Sequence, residues 1–343
     1  MPRVTITTPA RLHFALIDLN GSLGRIDGSV GLAINEPHFQ IVAKPANYIH
    51  IESAQYHDRA YAIVEQLLTK YGLRGIRVKL ESEIPSHSGF GSGTQLALGL
   101  AQAVNTLYGL NMRVAELALA VRRGGTSGIG ITAFEQGGFI LDGGHRFPDQ
   151  KSSFLPSAAA GSVPPPPLLI RHPFPDWPLL VVIPRCTPIS GETEINLFKT
   201  LCPQPKSTAE QLSHIILLKL LPAIFEEDLH AFGDAIYRIQ RFGWKRVEID
   251  AQSLPQAIGG EQSKIPSGGS VLQRTLDFLR DNGAIAAGVS SWGPAIFAVG
   301  LDLLALKEKA EIFLKTLPSG GTCFITEANN VGARVEESVD VSR

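Results

Sequence analysis

The sequence has few cysteines, and charges of opposite sign nearly cancel. Its three cysteines, Cys186, Cys202 and Cys323, are scattered and odd in number, which argues against a disulfide framework or a zinc site and favours thiols in a reducing compartment. Lysine and arginine total 31 and aspartate and glutamate 32. With so small a net charge, no overall field points to nucleic acid or to an anionic membrane as a partner.

Long hydrophobic runs are also absent. No run of roughly 18 apolar residues, the length of a membrane span, occurs, and residues 1–14 lack the layout of a signal peptide. We therefore expect a cytoplasmic protein with no membrane and no nucleic-acid partner. The 343 residues suffice for two domains. A segment rich in Pro, Ser and Ala, 146–178, indicates a linker or exposed crossover, and we place the domains at residues 1–160 and 161–343.

Glycine is abundant instead, and the most informative glycines lie between Ile84 and Leu110. This segment is predicted to end a strand, pass through a loop and form an amphipathic helix that stops at Gly109. A glycine-rich turn that opens a helix presents backbone N–H groups at the positive end of the helix dipole, which favours a phosphate. The alternative is an ordinary tight turn. The candidate substrate-binding residues of this loop are Ser88, Gly89, Gly91, Ser92, Gly93 and Thr94.

A second unusual stretch runs from Pro9 to Pro37. Its Asn20-Gly21 pair predicts a β-hairpin turn. The stretch is either a solvated hairpin or a place where charged groups converge on a substrate. The charged residues that it gathers are Arg11, His13, Asp18, Arg25 and Asp27.

Two further stretches are rich in glycine or other small residues. The first, Arg122 to His145, predicts several short turns or a backbone that approaches a ligand closely, followed by a strand at 139–141. Its candidate anion-binding residues are Arg122, Arg123, Thr126 and Ser127. The second, Ala287 to Val299, predicts a turn that enters a strand, and it contributes Ser290, Ser291 and Trp292 as candidates.

The remaining pattern predicts alternating strands and helices. Short apolar alternations favour strands, and apolar residues at helical spacing favour helices. Residues beyond Asn329 are predicted to form a loose tail. The main predicted strands are 3–7, 12–16, 39–43, 48–52, 76–80, 179–183 and 323–326, and the main predicted helices are 58–71, a helical region over 208–240, 270–282 and 303–317.

These stretches resemble a known group of proteins. Residues 85–93, PSHSGFGSG, resemble the signature Pro-x-x-x-Gly-Leu-Gly-Ser-Ser of the GHMP kinase superfamily. Gly93 departs from that signature, because the kinases have there a second serine that helps to hold the magnesium of the nucleotide, and this departure counts against kinase activity. With RLHFALIDLNGSLGRIDGSVGLAI, RGGTSGIGITAFEQGGFILDGGH and GVSSWGPAIFAV, the chain from Pro9 to about Ala298 resembles the β-ribofuranosylaminobenzene 5′-phosphate synthases.

The resemblance implies an α+β, two-domain GHMP-kinase-like fold, with a ribosomal protein S5 domain 2-like N-terminal domain and a ferredoxin-like C-terminal domain. The active site is expected in the cleft between them, with Gly288–Gly293 near Gly89–Gly93. The implied enzyme is a homodimeric glycosyltransferase of methanopterin biosynthesis. It would join the ribosyl 5-phosphate of phosphoribosyl pyrophosphate, supplied as its magnesium complex, to 4-aminobenzoate or 4-hydroxybenzoate, with loss of carbon dioxide and pyrophosphate.

Against that background three residues are catalytic candidates: Asp18, Arg25 and Asp27. A carboxylate would stabilise an oxocarbenium-like sugar, and Asp18, placed before a turn, is the first choice; the alternative is a turn-stabilising aspartate. Arg11 and Arg25 suit the phosphate or the acceptor carboxylate. No protein side chain is assigned as a direct metal ligand.

The aromatic and imidazole candidates have structural alternatives. His13 and His145 are possible acid or base groups, although a lone histidine is more often structural. Trp292 would stack on the aromatic acceptor or pack in the core. Two other functions stay open, an ATP-dependent small-molecule kinase of the same superfamily and a non-catalytic protein that binds a phosphorylated ligand. The several glycine-rich stretches with charged groups count against the second.

Overall fold

Two β-sheets with packed helices organise the fold, in a computed structural model that describes residues 2–157, 159–251 and 269–339. The strands are β1 Pro2–Asp18, β2 Arg25–Pro45, β3 His50–Glu52, β4 Ile76–Ser82, β5 Phe139–Asp142, β6 His145–Arg146, β7 Leu168–His172, β8 Leu179–Pro184, β9 Ala286–Val289, β10 Ile296–Val299, β11 Gly321–Thr326 and β12 Arg334–Val339. The helices are α1 His57–Tyr71, α2 Ser92–Tyr108, α3 Val114–Ala120, α4 Ile129–Glu135, α5 Glu192–Leu201, α6 Lys206–Ile215, α7 Leu221–Phe225, α8 Leu229–Ile239, α9 Gly243–Ala251, α10 Val271–Asp281 and α11 Leu303–Thr316, with a π-helical turn, Ile216–Leu220, between α6 and α7.

The first sheet is built on a long antiparallel hairpin of β1 and β2. Its main path runs β12-β1-β2-β4-β3, and β5 and β6 also pair with β2. The hairpin turn predicted at Asn20-Gly21 is confirmed, since Asp18 pairs with Asp27 on either side of it. The two short strands predicted before this turn are one continuous strand. It is interrupted by register shifts between Thr8 and Ala10 and between His13 and Ala15, and such bulges change the direction in which side chains point.

The second sheet has four antiparallel strands in the order β11-β8-β10-β9. Numbered by their sequence in this sheet, the strands run 4-1-3-2, with α10 leading into β9 and α11 joining β10 to β11, which is the ferredoxin-like arrangement. Alternate residues of β8 face two cores. Leu179 and Val181 join the core shared with the first sheet, and Leu180 and Val182 join a core with α10 and α11. The predicted α+β fold is confirmed.

The predicted linker and the predicted tail both contribute strands to the first sheet. Within 146–178, β7 pairs with β5, and Lys151 is buried. After residue 329, β12 pairs with β1 from Pro2↔Val339 to Thr7↔Arg334. The predictions of an exposed crossover and of a loose tail were therefore wrong, because both segments form strands that pair with residues far away in sequence. The predicted domain boundary at residue 160 does not follow the division between the two sheets.

One helical stretch, Lys206–Phe225, has the length and the apolar composition of a membrane span. Core helices of soluble proteins can meet the same two criteria. Six of its side chains, Leu212, Ile216, Leu220, Leu221, Ala223 and Ile224, are buried in the main core, whereas Leu217 and Leu218 are exposed. The stretch therefore serves as a core element along one face and leaves an apolar face uncovered.

Candidate active site

A cleft of about 260 Å³ is lined by both halves of the chain. The glycine loop before α2 meets the β9–β10 loop here. Ser290 Oγ donates a hydrogen bond to the Gly89 carbonyl at 2.6 Å, and the Ala295 N–H donates to the Ser88 carbonyl at 3.2 Å. The expectation that these two segments lie together is confirmed.

The glycine loop presents the start of α2 to the cleft. Gly91 is the N-cap residue, with a φ of 73°, a left-handed conformation that suits glycine. A Cβ at Gly91 would lie 2.9 Å from Arg11 Cγ, so the loop also needs glycine for close packing. No side chain caps this helix, and Ser92, Gly93 and Thr94 face the cleft. The Thr94 N–H already donates to the Gly91 carbonyl at 3.0 Å, so the Ser92 and Gly93 N–H groups are the ones that this helix start would offer to an anion.

Two arginines stand beside this helix start. Arg59 of α1 and Arg123, after α3, both line the cleft. Burial and the charge of Arg59 lower the pKa of Arg123 to about 10, so Arg123 is still cationic at neutral pH. Within residues 2–157, 159–251 and 269–339, no carboxylate forms an ion pair with either arginine, and the buried Nε of Arg123 has no hydrogen-bond partner. A bound anion would relieve the repulsion between the two cations.

Arg59 also packs closely against Gly93. A Cβ on Gly93 would lie 2.3 Å from Arg59 Nη2, closer than real Cβ contacts. The guanidinium therefore packs over the helix start at the position where the superfamily signature has its second serine. Sequence reasoning missed Arg59, since nothing in the local pattern of α1 connects it to a loop more than 25 residues later.

Arg11 of β1 lies in the middle of the cleft. Its backbone N–H donates to the Phe90 carbonyl at 3.0 Å, and its Nη1 donates to the Gly89 carbonyl. Burial lowers the pKa of Arg11 to about 10, against the opposing charges of Glu248 and Glu194. Arg11 therefore connects the strand to the glycine loop and faces carboxylates on its other side.

Aromatic rings form the opposite wall. The Phe198 and Trp244 ring centroids are 4.3 Å apart, and Trp244 meets Trp292 edge-on at 5.6 Å and 82°. Leu16 and Ile189 join this cluster, and all five residues line the cleft. Trp292 thus packs in a core, which is the alternative to acceptor stacking that the sequence left open, and it also faces the cleft.

The cleft therefore has two chemically different ends. We call the part formed by Gly89, Gly91, Gly93, Arg59 and Arg123 the glycine-loop end. We call the part formed by Glu194, Phe198, Trp244, Glu248 and Trp292 the tryptophan end.

Two carboxylates distinguish the tryptophan end. Glu194 Oε1 accepts a hydrogen bond from Trp292 Nε1 at 2.8 Å. Burial raises the pKa of Glu194 to about 7, although that hydrogen bond favours the ionised form. Glu248 is buried and forms an ion pair with Lys245. Burial lowers the pKa of Lys245, and its Nζ also donates to the Val289 carbonyl at 3.1 Å.

Four buried polar atoms around the cleft have no hydrogen-bond partner in the part of the chain that the structure describes: Arg123 Nε, His13 Nδ1, Trp244 Nε1 and Glu248 Oε2, the last of which still forms the ion pair with Lys245. Burial, with the charges of Arg11 and Lys245, holds the pKa of His13 well below its usual value, so this imidazole is neutral. Buried polar groups are normally paired, and their concentration here indicates a site for a polar ligand.

The predicted catalytic trio lies elsewhere. Asp18, Arg25 and Asp27 line a separate depression with Leu169 and Leu217. Asp18 Oδ1 accepts hydrogen bonds from the backbone N–H groups of Asn20 at 2.6 Å and Gly21 at 3.0 Å. The carboxylate therefore stabilises its own turn, which is the alternative that the sequence left open for Asp18.

The Arg25 guanidinium has a similar local function. It donates to the carbonyls of Gly143 at 2.8 Å and Gly144 at 2.7 Å, so it holds the turn between β5 and β6. This geometry does not give Arg25 a direct contact with a substrate in the cleft. The catalytic roles of Asp18 and Arg25 stay predictions from sequence.

Asp27 is connected to the cleft wall indirectly, by hydrogen bonds through Lys151. It is buried and accepts from Lys151 Nζ at 3.0 and 3.1 Å, and His145 Nδ1 lies 2.6 Å from its Oδ2. Lys151 Nζ also donates to Thr126 Oγ1 at 3.0 Å. Asp27 and His145 thus support the loop that carries Thr126.

Most of the predicted binding residues do line the cleft. These are Arg11, His13, Ser88, Gly89, Gly91, Ser92, Gly93, Thr94, Arg123, Thr126, Ser127, Ser291 and Trp292. Ser290 lies behind them and holds the loop, while Arg122 is exposed. The residues that sequence reasoning missed are Arg59, His87, Glu194, Phe198, Trp244 and Glu248.

Comparison with known proteins gives consistent results. A family model for the GHMP kinases N terminal domain matches residues 58–138. A β-ribofuranosylphenol 5′-phosphate synthase of Methanocaldococcus jannaschii is 38% identical over 345 residues, covering 96% of this chain and 99% of the relative. One of Methanothermobacter thermautotrophicus is 40% identical over 306 residues, covering 86% and 88%. A solved putative homoserine kinase from Listeria monocytogenes superposes with a TM-score of 0.62 at 20% identity, covering 97% and 99%.

Proposed function

The chain belongs to the β-ribofuranosylphenol 5′-phosphate synthase family, and on that premise we propose that its cleft condenses phosphoribosyl pyrophosphate with a para-substituted benzoate. The product is a C-riboside 5′-phosphate, released with carbon dioxide and pyrophosphate. The relatives carry a phenol in their name, which corresponds to 4-hydroxybenzoate as the acceptor; an aminobenzene product would come from 4-aminobenzoate.

The observation that carries this proposal is the division of one cleft into a cationic end and an aromatic, acidic end. The donor is a polyanion, and the glycine-loop end supplies an uncapped helix start with Arg59 and Arg123 beside it. Arginines hold phosphate oxygens in fork-like pairs of hydrogen bonds. This arrangement supports our proposal that the pyrophosphate binds at the glycine-loop end.

The acceptor is a flat aromatic ring, and the tryptophan end supplies aromatic walls. Trp244 and Trp292 stand nearly perpendicular to each other, so a ring can stack on one and meet the edge of the other. Arg11, between the two ends, is positioned for the acceptor carboxylate or for the departing pyrophosphate. It is the residue best placed to act on both substrates.

The reaction exchanges bonds at one sugar carbon. The C1–O bond to pyrophosphate breaks as a bond forms from C1 to the ring carbon that bears the carboxylate. Carbon dioxide then leaves that carbon, and its bonding electron pair returns to the ring. A cleft that fixes both partners removes most of the entropic barrier, and its cations stabilise the charge on the departing pyrophosphate.

Magnesium is proposed to enter with the donor. In the described ranges no cluster of three His, Cys, Asp or Glu side chains could hold a metal ion. Magnesium is usually bound by substrate phosphates with one or two protein groups. The hydroxyls of Ser88, Ser92 and Thr94 belong to the same loop and helix start as the proposed phosphate site. When bound, the ion would neutralise the charge of the pyrophosphate.

The alternative of an ATP-dependent kinase has less support. The curated relatives that match most of the chain at 38–40% identity are synthases. The structural likeness to kinases at 20% identity concerns the fold alone. In addition, Arg59 covers the position at which the superfamily signature has its second serine.

The decisive experiment supplies purified protein with phosphoribosyl pyrophosphate, magnesium and each benzoate in turn. We expect stoichiometric release of carbon dioxide and pyrophosphate that depends on both substrates. If neither acceptor led to release of carbon dioxide, the proposal would be overturned. Transfer of phosphate from ATP to a small alcohol would move the assignment to the kinase alternative.

We further propose that the protein acts in methanopterin biosynthesis, in the cytoplasm, as a homodimer. Leu169, Leu217, Leu218 and Phe225 are exposed apolar side chains on neighbouring elements, and a second copy is the partner that we expect to cover them. Sedimentation at micromolar concentration tests the dimer, since a monomer there would contradict it.

A further inference from the structure

We propose that Glu194 receives the para-hydroxyl group of the acceptor and takes up its proton while the carbon–carbon bond forms. This inference rests on the proposed function and adds to it a residue in a catalytic role. Glu194 lies in the first turn of α5 and lines the tryptophan end of the cleft.

The orientation of the acceptor follows from charge. The acceptor has a carboxylate at one end of its ring and a hydroxyl at the opposite end. Glu194 and Glu248 would repel the carboxylate, whereas a hydroxyl donates a hydrogen bond to a carboxylate. The carboxylate-bearing carbon must also face the donor, which is placed at the glycine-loop end. Both constraints direct the hydroxyl toward the tryptophan end.

Glu194 is better placed for this role than Glu248. Glu248 is committed to the ion pair with Lys245, which itself holds the backbone of the β9–β10 loop. Glu194 is half-buried, and its Oε1 accepts a hydrogen bond from the Trp292 indole. That indole fixes the carboxylate at the aromatic wall against which the acceptor ring would pack.

The environment also adjusts the proton affinity of Glu194. Charged groups face it from two other elements: Arg11 of β1, and Glu248 of α9 with its partner Lys245. Burial raises the pKa of Glu194 to about 7. A general base works best when its pKa is near the working pH.

The proton balance of the step closes without another reactant. As the ring attacks C1, the hydroxyl oxygen forms a carbonyl and its proton moves to Glu194. When carbon dioxide departs, its electron pair restores the aromatic ring, and the carbonyl oxygen recovers the proton from Glu194. The proton is borrowed and returned, so the residue ends each turnover ionised.

The test compares Glu194→Gln with Glu192→Gln. Glu192 is an exposed residue in the same helical turn. For Glu194→Gln with 4-hydroxybenzoate, we expect a fall in kcat on the order of a hundredfold, with KM for phosphoribosyl pyrophosphate within about twofold. Glu192→Gln should match the wild type. Glu194→Asp, which keeps the charge, should retain part of the rate.

The pH profile separates a base from a merely structural residue. For the wild type, kcat/KM for the acceptor should rise with pH through about 7 as Glu194 ionises, and Glu194→Gln should lose this rise. A wild type without carbon dioxide release would refute the proposed function. If the wild type is active but Glu194→Gln keeps the rise of kcat/KM with pH, the role of Glu194 alone is overturned. The same holds if the KM of Glu194→Gln for phosphoribosyl pyrophosphate rises as much as its kcat falls.

Discussion

The glycine-loop end and the tryptophan end of the cleft are built in different ways. The first uses backbone groups and glycines from one contiguous loop, with two arginines added from α1 and from the segment after α3. The second uses side chains alone, with Glu194 and Phe198 from α5, Trp244 and Glu248 from α9, and Trp292 from the β9–β10 loop. A phosphate can be held by a local motif, whereas an aromatic acid needs walls from several elements.

The two ends also differ in the balance of their charges. At the glycine-loop end, Arg59 and Arg123 repel each other without a carboxylate partner among the described residues. At the tryptophan end, Glu248 is already paired with Lys245, and Glu194 accepts from an indole. Substitutions should therefore alter donor binding at one end and the acceptor chemistry at the other.

The largest effect should come from Arg11, because it lies between the two ends. Arg11→Ala should lower kcat/KM for both substrates on the order of a thousandfold, or about 4 kcal/mol of transition-state stabilisation. Arg11→Lys keeps the charge and should recover part of the loss, since lysine lacks the fork of donors. Steady-state kinetics with each substrate varied would measure this. An effect confined to one substrate would show that Arg11 belongs to one end only.

Arg123 should affect the donor alone. Arg123→Ala should raise KM for phosphoribosyl pyrophosphate on the order of a hundredfold, about 2.7 kcal/mol, with little change in KM for the acceptor. Its neighbour Arg122 is exposed, and Arg122→Ala is the matched control. Because Arg123 faces another cation, the variant should melt no lower than the wild type. A lower melting temperature would mean that Arg123 stabilises the fold instead.

Trp292 should affect the acceptor end through the pKa of Glu194. Trp292→Phe keeps a ring but removes the indole N–H that favours the carboxylate, so the pKa of Glu194 should rise above its value of about 7. Since the base acts only when ionised, activity at pH 7 should fall by about fivefold and recover at pH 9. Trp177→Phe, outside the cleft, should leave the pH profile unchanged. A profile that does not move in Trp292→Phe would contradict the assignment.

Gly93→Ser should have the smallest effect and sharpens the contrast with the kinases. The new Cβ would displace the end of the flexible Arg59 side chain, so KM for the donor should rise by about fivefold. Restoring the serine of the signature should not produce phosphate transfer from ATP. Measurable transfer to a small alcohol would show that this single position separates the two activities.

The sequence was most informative where function depends on a contiguous segment. The loop from Ser88 to Thr94, which the sequence predicts as a phosphate site, lines the cleft; glycines and hydroxyls before a helix can be read from sequence because they reflect a local backbone requirement. The hairpin at Asn20-Gly21 was likewise local. The order of the second sheet was expected only through the family resemblance.

What sequence could not show was the convergence of distant side chains. Glu194, Trp244 and Glu248 meet because α5 and α9 pack against β1 and the β9–β10 loop, and no local pattern records that contact. Conversely, Asp18 and Arg25 lie close in sequence to Arg11, but the register of the hairpin directs them to a different depression. Residues that are close in sequence on a twisted hairpin need not share a site.

The pairing of β12 with β1 has a consequence for synthesis in the cell. β1 carries Arg11 and His13, and it gains β12 as its second neighbour only after more than 300 further residues have been translated. Until then one edge of β1 is open, and an open strand edge can pair with other chains. Nascent chains should therefore depend on folding helpers more than the finished protein does, and truncation before Arg334 should lower soluble yield before it alters the cleft.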